Sequence, residues 1–108
     1  MFVQMKTFKV SEGNADKIVE RFSGKGIIEE QEGFIEATVL VKKVRRGEEE
    51  VIVSIKWESE EKWKQWEKSE AHIAGHKANL GKPKPEYIIE VTGGLYDVKS
   101  VKKPAHIN

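Results

Sequence analysis

The stretch GFIEATVLVKKVRRGEEEVIVSIKW, residues 33–57, decides the fold. It contains two segments rich in β-branched and apolar residues, 34–44 and 49–57, and a polar run around Gly47 separates them. Two such segments joined by a short loop with a glycine predict a β-hairpin. Segment 34–44 has apolar residues at even and odd positions, Phe34 with Leu40 and Ile35 with Val39, so we expect both faces of this strand to be covered.

Before the hairpin, the sequence predicts a strand and then a helix. Residues 2–10, FVQMKTFKV, alternate with a period of two, which is typical of a strand. In residues 11–22, Ser11 is a suitable N-cap residue, and Gly24 ends the helical pattern. The apolar residues between them recur at the spacing of one helical stripe: Ala15, Ile18, Val19 and Phe22.

After the hairpin, residues 58–79 predict two short helices. Ser59 is the predicted N-cap of the first. One continuous helix would advance by about 1000° between Trp66 and His76 and would place them on different faces. Ser69 looks like a second N-cap, so we predict a break there and a new helix, EAHIAGHKAN.

The last predicted strand lies in YIIEVTGGLYDVKSV, residues 87–101, where Gly93 and Gly94 predict a bulge or bend. The order is therefore β-α-β-β-α-β in one domain, 1–108, with 102–108 a loose tail. It predicts an α+β, ferredoxin-like antiparallel sheet with helices on one face. A homodimer packed sheet to sheet would cover the other face.

Composition excludes several classes of protein. The chain has 108 residues, 19 basic and 18 acidic, and a net charge of +1, so nothing in its charge draws it toward nucleic acid or membrane. It has no cysteine, which excludes disulfides and thiolate metal sites and fits a cytoplasmic location. The apolar start, MFVQMKTFKV, is too short and too soon interrupted for a signal peptide.

Two histidines and two tryptophans lie close together in the sequence. His72 and His76 are four residues apart, a spacing that can hold zinc, but no glutamate follows His72 as a metalloprotease would need. The simpler interpretation makes His72 an exposed helix residue. His76 follows Gly75 among alanines, which leaves room for a planar ligand such as haem. Trp57 and Trp63 are predicted core residues.

Much of the chain resembles the IsdG-type haem-degrading monooxygenases of the antibiotic-biosynthesis-monooxygenase-like, dimeric α+β barrel group. The resemblance rests on FIEATVLVKKV, IVSIKWESEEKWKQWEKSEAHIAGHK and PEYIIEVTGGLYDVKSV, and most specifically on Trp66 followed ten residues later by His76. It implies that His76 is the axial ligand of the haem iron and that Trp66 presses on the porphyrin.

The resemblance also implies the reaction, which is oxidative cleavage of the porphyrin with release of iron. Haem would be substrate and cofactor at once, with O2 and electrons from an unidentified reductase or other external donor. The family has an asparagine on the first strand where this chain has Lys6, so we expect haem to be bound but degraded slowly. Gln4 lies on the same strand face, and Phe22 either lines the haem cavity or packs in the core.

Three alternatives stay open at this point. The same fold hosts cofactor-independent monooxygenases that act on aromatic or quinone-like substrates, and fold alone does not decide between them. A haem-binding dimer without catalytic activity would be consistent with Lys6. A small dimer without any ligand is the third alternative.

Overall fold

The structure is a computed structural model that describes residues 1–105. It confirms the predicted α+β, ferredoxin-like order of elements, with the second helical segment divided in two. A 3-10 turn, Ile28–Glu30, precedes the second strand. The strands and helices are β1 (Phe2–Val10), α1 (Ala15–Ser23), β2 (Phe34–Val41), β3 (Glu49–Trp57), α2 (Glu60–Glu67), α3 (Glu70–Asn79) and β4 (Ile88–Asp97).

The four strands form one antiparallel sheet in the order β2-β3-β1-β4. The predicted hairpin is present as β2 and β3, and the register between them shifts next to Ile35. Because of this shift, Phe34 lies opposite Trp57 and packs against it edge to face, with ring centroids 5.8 Å apart. The simple alternation had placed Phe34 on the same face as Leu40, and that placement was wrong.

The core lies between α1 and the sheet. Ile18 is fully buried, as are Val10 on β1 and Val51 on β3. Burying an aliphatic side chain contributes about 1.5–3 kcal/mol, so this contact is what holds α1 on the sheet. The whole cluster consists of Phe8, Val10, Ala15, Ile18, Val51, Val53 and Ile88.

The start of α1 differs from the prediction. The helix begins at Ala15, with Asn14 in the N-cap position, and not after Ser11. The Asn14 side chain folds back and donates to the Ser11 hydroxyl at 2.8 Å, so it does not cap the helix. The carboxylate of Glu49, on β3, instead accepts from the Ala15 N–H at 2.8 Å. A distant residue does the capping, and local sequence could not show it.

The predicted break between α2 and α3 is confirmed. Ser59 accepts from the Lys62 N–H at the start of α2, and Ser69 accepts from the His72 N–H at the start of α3. The Ser69 hydroxyl also donates to the Trp66 carbonyl at 2.7 Å and so ties the end of one helix to the start of the next. Neither helix has a fully buried residue.

The predicted bulge at Gly93 and Gly94 was wrong, because both glycines pair regularly with β1. The irregularity in β4 lies instead opposite Lys9 and Val10. Both glycines leave little room for a side chain. A Cβ on Gly93 would lie 3.2 Å from the Met5 carbonyl oxygen, and one on Gly94 would lie 2.6 Å from the Tyr96 hydroxyl.

The predicted tail, 102–108, lies partly outside the described residues, and the part within them, 102–105, contains no helix or strand. Among residues 1–105 no helix is both long and apolar enough to cross a membrane.

Candidate active site

A cavity of about 880 Å³ opens between the sheet and the helices, next to the core. Its size is at the upper end of the range for ligand pockets, and most of its walls are apolar. Strands β2 and β3 supply Ala37, Val39, Val53 and Ile55. The rest of the wall comes from Gln4 and Lys6 on β1, from Val19, Arg21 and Phe22 on α1, from residues 23–29, from Phe34, and from Trp66 with His72 in the second helical layer.

An aromatic contact holds α2 on the sheet. Trp63 packs on Phe2, with ring centroids 5.3 Å apart, and so fixes the helix over the start of β1. Trp66 lies almost one turn further along, beyond this contact, and lines the cavity. Trp57 is buried as predicted, whereas Trp63 is only partly buried.

Lys6 and Gln4 both line the cavity, as expected of alternate residues on one strand. Lys6 lies between Val53 and Gly93 in the sheet, and its side chain is exposed. A smaller cavity of about 290 Å³ lies on its other side, against Trp63. The Lys6 side chain therefore borders both cavities.

Phe22 lies between the core and the cavity. Its ring lies 5.5 Å from that of Phe8, centroid to centroid, and it packs against the core cluster. The same side chain also lines the cavity. The end of α1 is therefore the place where the core becomes the cavity wall.

Three aromatic rings follow one another from the cavity to its rim. The ring of Trp66 lies 4.9 Å from that of His72, and His72 lies 4.5 Å from His76, each pair edge to face. The two Nε2 atoms of the histidines are 2.9 Å apart, at hydrogen-bond distance. His76 is exposed and is not among the residues that line the cavity, whereas His72 is.

His72 is not the exposed helix residue that the sequence suggested. Its side chain is only 20% exposed, because α3 starts at an angle to α2 and brings this residue under the edge of Trp66. Burial lowers the pKa of His72 below its usual value, His76 and Lys6 lower it further, and Glu67 opposes them. A lowered pKa favours the neutral imidazole, which has one ring N–H to donate.

Glu67 is the acidic neighbour of this array. Its Oε2 lies 2.5 Å from His72 Nε2. The contact is close but not aligned, and Oε2 is a buried oxygen without a hydrogen-bond partner among the described residues. Sequence reasoning missed both Glu67 and the buried position of His72. The four-residue spacing of the histidines was a signal that they share a face, but the angle between the helices depends on tertiary packing.

The structure thus brings Lys6, Phe22 and Trp66 together around one cavity, and it connects His76 to them through His72. The zinc alternative finds no support in residues 1–105, which contain no group of three histidine or acidic side chains placed to hold a metal ion. What the cavity offers is a large apolar space with Trp66 and the imidazole of His72 on one wall, His76 next to His72 at the rim, and a cation on another wall. That combination suits a large planar ligand with a metal and acidic substituents.

Comparison with known proteins decides the family. The family model for antibiotic biosynthesis monooxygenases matches residues 1–78, the part that includes Lys6, Phe22, Trp66, His72 and His76. The chain belongs to the antibiotic biosynthesis monooxygenase family. The resemblance drawn from the sequence is thereby confirmed.

The relatives of this chain differ in how similar their sequences are to it. The heme-degrading monooxygenase HmoA of Bacillus subtilis is 64% identical over 103 residues, 95% of each chain. A solved Bacillus cereus structure is 57% identical, covers 98% of both chains and has a TM-score of 0.85. MhuD from Mycobacterium tuberculosis, a heme-degrader solved with two hemes in its active site, is 20% identical, with a TM-score of 0.65. The match covers 94% of this chain and all of the MhuD chain. At 20% identity it shows the shared fold alone.

Proposed function

We propose that the chain is a haem-degrading monooxygenase that opens the porphyrin ring and releases iron. The observation that carries this proposal is the cavity of about 880 Å³ with Trp66 and His72 on one wall and His76 in contact with His72 beyond it. The identity of 64% to HmoA over most of the chain supports the same function. O2 would be the oxidant and an external donor, such as a reductase, would supply electrons.

The residues fit haem in three respects. The apolar walls, Val53 and Ile55 among them, suit the porphyrin faces, and the imidazole of His76 is a suitable axial ligand for iron. Trp66, which is rigid and bulky, would press on the ring and so distort it. Haem bound in this way supplies the oxygen-activating iron, and the chain's own residues hold and shape it.

Lys6 is the residue that would limit turnover. An asparagine amide is short and neutral and could donate to a distal ligand without adding charge, whereas an ammonium is long and strongly hydrated. Its exposed side chain supports a position toward solvent or a haem propionate, which leaves the distal side without a donor. We therefore propose that Lys6 slows haem degradation and leaves haem binding intact.

A haemin titration with a visible spectrum tests the function directly. A Soret band that saturates with haemin is expected, and ascorbate in air with catalase should then bleach it. His76→Ala should abolish or severely weaken the band. A chain that gives no Soret band is not a haem enzyme, and a band that ascorbate does not bleach identifies a haem-binding dimer without activity.

Lys6→Asn tests the role of position 6. It should speed the loss of the Soret band under ascorbate by about tenfold, the effect of a change of 1.4 kcal/mol in the barrier. Lys56→Asn is the matched control, because Lys56 lies on β3 and its side chain points to the opposite face of the sheet. Rapid bleaching by the unmodified chain, unchanged in Lys6→Asn, would instead assign the distal hydrogen bond to another residue such as Gln4.

We also propose that two copies form a homodimer through the sheet face that carries no helix. Met5, Leu40 and Tyr96 point to this face from three strands and are exposed. An uncovered apolar face of a sheet is normally covered by another protein surface. Light scattering should give twice the 12.3 kDa chain mass. Leu40→Lys should give the monomer, while Leu80→Lys, at the exposed end of α3, should not.

The cytoplasm is the compartment we propose for this enzyme, on the ground that its reaction needs a reductant. Cell fractionation with an antibody against the chain tests the location.

A further inference from the structure

The contact between His72 and His76 carries an inference beyond the proposed function. Their Nε2 atoms are 2.9 Å apart, and a hydrogen bond between two imidazole nitrogens needs an N–H on one and a lone pair on the other. One of the two histidines must therefore donate and the other accept. Which of them donates decides whether His76 can bind a metal through Nε2, since only the lone pair of a neutral imidazole nitrogen is a ligand.

Glu67 decides the direction of this hydrogen bond. Its Oε2 lies 2.5 Å from His72 Nε2, the same nitrogen that contacts His76. A carboxylate oxygen next to a nitrogen lone pair is repelled, whereas one next to an N–H is attracted. The proton therefore belongs on His72 Nε2, and His76 is the acceptor. His76 then carries its own proton on Nδ1 and keeps the Nε2 lone pair.

The buried oxygen of Glu67 has a second consequence. When His76 turns toward a metal, the N–H of His72 loses its acceptor, and a buried donor without a partner costs about 1–3 kcal/mol. Glu67 Oε2 is close enough to replace His76, and it has no aligned partner within residues 1–105. A small rotation of His72 would exchange one acceptor for the other, with the proton remaining on His72.

We propose that Glu67 and His72 are positioning residues that hold His76 in the metal-binding tautomer and take over its hydrogen bond when His76 turns to the haem iron. The inference rests on the proposed function in that it names haem iron as the ligand of His76. The tautomer of the haem-free protein can be measured without haem.

Two-bond ¹H–¹⁵N correlation spectra of the 108-residue chain prepared without haem show which nitrogen of each histidine carries the proton. His76 is expected to be protonated at Nδ1. Glu67→Met and His72→Phe should replace this fixed tautomer by a mixture, while Glu61→Met, on the exposed side of α2, should leave it unchanged. His76 protonated at Nε2 in the unmodified chain, or an unchanged tautomer in Glu67→Met, would overturn the proposal.

Haemin binding provides the second measurement. Glu67→Met and His72→Phe should weaken binding by about tenfold, the lower end of the effect of residues that orient metal-bound histidines. His72→Gln keeps an N–H donor and should recover part of the loss. Loss of the Soret band in His72→Phe but not in His76→Ala would make His72 the ligand and overturn the proposal. An unmodified chain without a Soret band would refute the haem function, and the tautomer would still decide whether the histidines are arranged as proposed.

Discussion

The two parts of the helical layer pack on the sheet in different ways. Helix α1 buries Ile18 completely against Val10 and Val51, and its N-terminal N–H is held by Glu49 from β3. Helices α2 and α3 bury no residue completely. They rest on the sheet mainly through Trp63 on Phe2, while Trp66 and His72 border open space.

This difference separates stability from function. The α1 side supplies the buried core, so it should account for most of the free energy of unfolding. The α2–α3 side keeps the cavity open, and its histidines have neighbours close enough to exchange hydrogen bonds. Sites that must change on ligand binding are drawn from the less stable parts of a protein.

The largest effect is expected in the core. Ile18→Ala should lower the free energy of unfolding by about 3 kcal/mol, because a fully buried isoleucine leaves a cavity when it is shortened. Ile73→Ala on α3, where the side chain is 43% exposed, should cost about 1 kcal/mol or less. Urea denaturation measures both. Equal losses would mean that the two sides are packed alike, contrary to the comparison.

The next largest loss of stability is expected where α2 meets the start of β2. Gly33 has a φ of +86°, and a Cβ there would lie 2.5 Å from Lys62 Cβ. Gly33→Ala should therefore cost about 2–3 kcal/mol, from backbone strain and from displacement of α2. Gly13→Ala is the matched control, since Gly13 has a φ of +85° and open space around it, and it should cost only about 1 kcal/mol. Similar losses in the two variants would show that Lys62 yields freely.

The more local features of the fold could be predicted from sequence. The second N-cap, Ser69, could be recognised from the residues next to it in the sequence. The helix bounds predicted from it, Glu70–Asn79, agree with the structure. The capping of α1 by Glu49 depends on a residue 34 positions away. The shift at Ile35 depends on the packing of Phe34 on Trp57, which alternation in the sequence does not describe.

Some features of the candidate site could likewise be predicted from local sequence, and others could not. Lys6 and Gln4 were expected on one strand face, and both line the cavity, because strand alternation needs only sequence spacing. The burial of His72 and its contact with Glu67 depend on the angle between two helices. The periodicity within each helix does not determine that angle. This group of side chains could therefore be identified only in the structure.

A smaller effect on stability, but a specific one on binding, is expected at Ser69. Ser69→Ala removes the acceptor of the His72 N–H and the donor to the Trp66 carbonyl, at a cost of about 1 kcal/mol. Ser59→Ala removes the equivalent cap of α2 at a similar cost. Of the two variants, Ser69→Ala should also weaken haemin binding, because the Ser69 hydroxyl, unlike that of Ser59, is hydrogen-bonded both to Trp66 and to His72. Equal haemin affinity in both variants would contradict this.

The smallest effect is expected at the ion pair between Lys62 on α2 and Glu32, which precedes β2. The hydrogen bond from Lys62, and then its charge, lower the pKa of Glu32 below its usual value. A carboxyl with a lowered pKa stabilises the fold above its usual pKa, and this contribution is lost as the pH falls through the lowered value. Because the Glu32 side chain is 79% exposed, the contribution should be small and weakened by salt.

Thermal melts of Glu32→Gln at low salt, compared with Glu30→Gln in the preceding 3-10 turn, measure this contribution. The Glu32 variant should melt slightly below the unmodified chain at pH 7, and the difference should vanish in acid and in high salt, while the Glu30 variant shows no such dependence. A difference that persists in acid would mean that Glu32 contributes through packing and not through its charge. In that case the α2 side is held on the sheet by more than Trp63, and the contrast with α1 is smaller than the burial of their residues indicates.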